Sequence, residues 1–157
     1  MLKSRTSFWA YLRYINPKFF REDRPHQKKL AETLQAAFER KLKNPDGSDC
    51  RKLIINLPPR MGKSYTLTLF NQWVLGRDQT QRIISVSYNE TLSTRFARGV
   101  RDGIDQDKVD PDVHIFRDVF PGTRIKYGDA AAQLWALEGQ FFSFLATGFG
   151  GTITGVG

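Results

Sequence analysis

The run Pro58-Pro59-Arg60-Met61-Gly62-Lys63-Ser64 holds the residue types that grip a polyphosphate. A glycine lets backbone N–H groups close on phosphate oxygens. A lysine supplies charge to the β- and γ-phosphates, and a hydroxyl supplies a ligand for Mg²⁺. The full spacing of such a loop is G-x-x-x-x-G-K-[ST], and here Leu57 stands where the first glycine belongs. The pattern is one glycine short, so its setting decides the matter. Residues 51–57, RKLIINL, read as a short buried strand, and residues 64–75 read as an apolar helix closed by Gly76. Strand, loop and helix in that order are what the phosphate-gripping mechanism requires. On this reading Lys63 clamps the β/γ-phosphates and Ser64 binds magnesium. The contact run for ATP and Mg²⁺ is Pro59, Arg60, Met61, Gly62, Lys63, Ser64 and Tyr65.

Other candidates carry two readings each. Arg60 sits inside the loop, where its guanidinium can meet the γ-phosphate or an acidic partner bidentately, or simply be solvated. Gln27 falls on the inward side of its helix. There its amide can read an adenine edge with one donor and one acceptor, or bond backbone at the helix end; spacing alone favours the second. Arg95, Arg98 and Arg101 form a stripe that suits DNA phosphates or a neighbouring ATP site, and equally suits the wet face of an amphipathic helix. The closing GFGGTITGVG does not match G-x-G-x-x-G and reads as glycine-dense turns near the site. No apolar strand ending in an acidic pair follows Thr147, although such a pair ordinarily holds the magnesium shell and polarises the attacking water.

The elements that must position these residues follow from periodicity. Residues 24–42 are helical, opened by Pro25 and carrying Leu30, Leu34, Ala37, Phe38 and Leu42 on one face, and KNPDGSD ends them in a turn. QRIISVSY, residues 81–88, is a second strand. Asn89 caps a helix in which Leu92, Phe96, Val100 and Ile104 recur every fourth residue. DQDKVDPD is a polar connector, and residues 133–147 give two strands joined around Glu138-Gly139. Strand, glycine loop, helix, strand and helix begin an α/β doubly wound sheet.

Composition bounds the rest. The 157 residues are 40% hydrophobic with twelve Phe and three Trp, enough for one folded domain and too apolar for a disordered chain. A single cysteine, Cys50, excludes an internal disulfide framework, and His26 and His114 stand without the companions of a zinc site. The net charge of +8 makes a polyanion partner plausible without distinguishing it from a solvated basic surface. No apolar run approaches the roughly 20 residues of a membrane span. Residues 1–23 form a basic, aromatic arm that reads as a transit peptide, an arm for DNA or a neighbouring subunit, or a terminal helix packed on the core.

Taken in order, RPHQKKL, LIINLPPRMGKS, IISVSYNETLSTRFARGVRDGI and FFSFLATGFGGTITGVG resemble the large terminase subunit of tailed bacteriophages. The similarity is to the N-terminal part of its packaging ATPase domain and spans residues 24–157. The resemblance implies a P-loop NTPase of the ASCE type, a parallel-sheet core with flanking helices, incomplete at its C-terminal end. It implies a motor that couples ATP hydrolysis to threading double-stranded DNA into a procapsid. Its partners would be the portal protein, the small terminase subunit and further copies in a ring, in the cytoplasm of a bacterial host and transiently at the portal. It places Gln27 at the adenine position, Lys63 and Ser64 at the phosphate and magnesium positions, and Arg60 at the loop arginine, with Lys63 and Arg60 as the catalytic candidates. Two departures stand out. Thr154 and Val156 lie where many relatives carry a basic residue, and the family's acidic strand and nuclease domain would follow Gly157. Weak or no ATPase activity is the expectation for this stretch alone. The competing classes are another helicase-like P-loop ATPase and a non-catalytic nucleotide-binding or assembly module.

Overall fold

The computed structural model describes residues 2–149. The final glycine-rich segment from Gly150, with Thr154 and Val156, lies outside the described residues. Element order is α1 (Leu2–Thr6), α2 (Phe8–Ile15), α3 (Pro25–Phe38), α4 (Lys63–Arg77), β1 (Ile83–Ser87), α5 (Glu90–Asp105), α6 (Phe116–Val119), β2 (Ile125–Ala130), β3 (Leu134–Leu137) and β4 (Phe144–Gly148).

The sheet is four-stranded and mixed, in the order β1-β4-β3-β2. Only β1 and β4 run parallel, Ile83 opposite Phe144 through Ser87 opposite Gly148, whereas β3 pairs antiparallel with both β4 and β2. The chain is therefore α/β with flanking helices, but its described sheet is mixed and not the parallel-sheet core that the resemblance implies. The cause is local. The link from β3 to β4 turns at Gly139, whose φ is +78°, and a reversal that short can only make antiparallel neighbours.

Residues 51–57 are the sharper correction. They form no strand, and Leu53 and Ile54 are exposed, Ile54 by 88%. Ile55 and Leu57 alone pack against the core. An apolar run becomes a strand only beside a hydrogen-bonding neighbour, and none of the four described strands pairs with this segment.

The helical layer is aromatic. Trp73 of α4 is fully buried among Phe8, Phe38 and Phe70, with ring centroids 5.4, 5.9 and 6.4 Å away, and its indole N–H donates to the Ser4 carbonyl at 3.0 Å. The N-terminal arm is thus two helices that bury Phe8, Trp9, Tyr11 and Leu12 in the same cluster as Leu30, Leu34 and Trp73. Glu39, just past α3, takes hydrogen bonds from Lys41, Gln35 and Arg77, which hold its carboxyl down at about 2 and tie the end of α4 to α3. On α5 the buried residues are Ser93, Ala97, Val100 and Ile104, with Leu92 turned outward. Gly103 explains the tight fit. A Cβ there would collide with the Gln72 amide, which donates to the Gly99 and Val100 carbonyls.

Candidate phosphate-binding site

Gly62 is the N-cap of α4 and adopts a left-handed conformation, φ +84° and ψ 12°. That conformation suits glycine above all, and it turns the chain directly into a 15-residue helix. No side chain caps the helix start, and the first turn contains no acidic residue. The first backbone N–H groups of a helix have no partner within the helix and carry partial positive charge. Here they are left to an outside acceptor.

The loop closes a cavity of about 290 Å³ lined by Leu57, Pro58, Pro59, Arg60, Gly62, Lys63, Ser64 and Tyr65. Two cations and no carboxylate face it, as a polyanion requires. Arg60 holds φ +66°, a strained value for a residue with a Cβ, on a loop whose residues 58–61 are exposed. The structure thus brings together Pro59, Arg60, Gly62, Lys63, Ser64 and Tyr65. Met61 lies in the same turn, 36% exposed, outside the cavity lining. Among the described residues the exposed Ser64 hydroxyl makes no hydrogen bond, and the Thr68 hydroxyl donates to the Ser64 carbonyl. A magnesium held here would draw on that hydroxyl and on ligand oxygens, because no cluster of three His, Cys, Asp or Glu side chains occurs among the described residues.

Gln27 is buried, 2% exposed, one turn into α3. Its amide oxygen has no hydrogen-bond partner. A buried carbonyl oxygen without a donor is costly. Gln27 does not line the phosphate cavity. Arg95 and Arg98 are exposed on α5 and, with Glu90, Thr91, Thr94 and Gln133, border a separate cavity of about 470 Å³. Arg101 leaves that group and bonds Asp102 through Nε and Nη2.

Sequence reading missed the residues behind the loop. Asn16, Phe19 and Phe20 gather against Gly62 and Tyr65. Phe19 meets the Tyr65 ring edge-on at 5.4 Å, Phe20 stacks on it at 5.6 Å, and the Asn16 amide reaches the Tyr65 hydroxyl at 3.4 Å. Arg24 lies 5.5 Å over the Phe19 ring. The only signal in the sequence was the aromatic density of the arm. Among the described residues, no helix is long and apolar enough to cross a membrane. Comparisons with protein-family models, curated proteins and solved structures returned no match.

Proposed function

We propose that this chain supplies the ATP-gripping part of a viral DNA-packaging motor of the terminase large-subunit type. The observation that carries the nucleotide half of this reading is the start of α4. A left-handed glycine, an uncapped first turn without acid, and Lys63, Ser64 and Arg60 all border one cavity. A triphosphate satisfies each of these features at once: N–H groups for its oxygens, two cations for its charge, and a hydroxyl for its magnesium. Gln27 is buried and does not line this cavity, so its place at the adenine position rests on the resemblance. The motor half rests on the resemblance in order of RPHQKKL, PPRMGKS, SYNETLS and ATGFGG, and on the +8 charge, which suits a DNA partner. Double-stranded DNA, a portal protein, a small terminase subunit and sister copies in a ring belong to the same proposal, as does a bacterial host cytoplasm.

The test is titration with a non-hydrolysable ATP analogue, with and without Mg²⁺, on wild type, Lys63→Ala and Gln27→Ala. A charged hydrogen bond contributes about 1.5–3 kcal/mol, so Lys63→Ala should weaken binding by about 10- to 100-fold. Magnesium should tighten wild-type binding. Equal affinity in wild type and Lys63→Ala would end the proposal. Analogue binding without any effect of double-stranded DNA on it, or on turnover, would leave a nucleotide-binding module in place of a motor.

A further inference from the structure

We infer that Phe19 is a positioning residue for the phosphate loop, a strut that sets the Gly62 turn from behind. This rests on the reading of that loop as a phosphate site. A Cβ on Gly62 would lie 2.5 Å from Phe19 Cζ and 2.7 Å from Cε1, so the ring tip occupies the space that any side chain at position 62 would need. Phe19 does not line the cavity. It touches the rear of the turn and leaves the ligand side to Lys63 and Ser64.

The strut is itself braced. Its backbone N–H donates to Asn16 Oδ1 at 3.0 Å, and its carbonyl accepts from Arg24 Nη1 at 3.4 Å. The Phe20 ring stands edge-on to it at 4.9 Å, and Phe20 is fully buried. The bracing runs from α2 and α3 into the first turn of α4. It matters because the other side of the loop is weakly held. Residues 58–61 are exposed, and the run that feeds the loop pairs with none of the four strands. A loop that must hold several N–H groups on one anion needs its backbone fixed before the ligand arrives. Here the aromatic arm does the fixing that a paired strand does elsewhere.

The experiment compares wild type, Lys63→Ala, Phe19→Leu, Phe19→Ala and Phe19→Tyr for binding of a Mg²⁺–ATP analogue and of Mg²⁺–tripolyphosphate. Ligand-free melting temperatures are measured alongside. Phe19→Leu keeps an apolar filler but withdraws the ring tip. Phe19→Tyr keeps the ring and adds an oxygen at Cζ, the atom that faces Gly62. Both should weaken the two ligands alike, by about tenfold, or about 1.4 kcal/mol, with little change in the ligand-free melting temperature. Phe19→Ala should weaken them further. Wild-type affinity in Phe19→Leu and Phe19→Tyr would overturn the strut. So would a loss confined to the nucleotide, since that would make Phe19 a contact for the base. Binding that survives Lys63→Ala would instead undo the phosphate site, and the positioning role with it.

Discussion

Helices α4 and α5 lie against each other, and they begin in opposite ways. Asn89 opens α5, its side-chain oxygen accepting from the Leu92 N–H at 2.8 Å, and Glu90 places a carboxylate in the first turn. Gly62 opens α4 with neither a capping side chain nor an acid. Both helices have the same unsatisfied N–H groups and the same dipole. One start is finished by its own sequence, and the other carries neither a cap nor an acid. The cost of leaving it open is met further along. Trp73 sits in the third turn of α4 inside a cage of aromatic rings, and Arg77 at the far end is bound to Glu39.

Three substitutions press on this contrast. Trp73→Ala should cost about 3–5 kcal/mol of unfolding free energy in a denaturant titration, since it removes a fully buried indole. A loss below about 1 kcal/mol would mean that α4 is held mainly at its start, and the contrast would collapse. Asn89→Ala should cost about 1 kcal/mol, the ordinary value of a helix cap, and should leave nucleotide binding unchanged. If it weakened binding as well, the α5 start would belong to the site. Ser64→Asp should act in two directions at once. A carboxylate in the first turn of α4 should raise stability by about 0.3–1 kcal/mol while abolishing analogue binding, because it both repels the triphosphate and fills the empty start. A destabilised Ser64→Asp protein would show that the first turn is already satisfied.

Much of this was legible from local chemistry. Asn89 reads as a cap and is one, Pro25 opens α3, and the reversal at Gly139 joins β3 to β4. Lys43 to Asp49 form the expected turn, with Gly47 at φ +84° and the Asn44 N–H bonded to the Ser48 carbonyl. The failures concern partners distant in sequence. RKLIINL has the composition of a buried strand, but burial on both faces depends on neighbours that composition cannot name. IKYGDA has a glycine and an aspartate and pairs with β3 only through an irregular register, so nothing in its residues announces β2. On α5 the fourfold spacing pointed to Leu92, yet the helix is rotated toward Ser93 and Ala97. One close fit on that buried side, Gly103 against the Gln72 amide, joins residues 31 apart. In the candidate site, the loop residues could be singled out because the signal was their types and spacing. Phe19 was not, because what matters about it is the absence of a side chain on Gly62.

The backbone at Arg60 has a practical consequence. An L-residue held in a left-handed turn gives up about 1–2 kcal/mol relative to an unstrained one, and glycine at the same place would lose about 0.5–1 kcal/mol more chain entropy on folding. The strain term is the larger, so exchanging this arginine for glycine should leave the protein as stable as before or slightly more so. What changes is the guanidinium and the stiffness of the loop backbone. Position 60 is therefore a place where folding and ligand binding can be taken apart, Arg60→Gly removing charge and stiffness together and Arg60→Gln removing the charge alone.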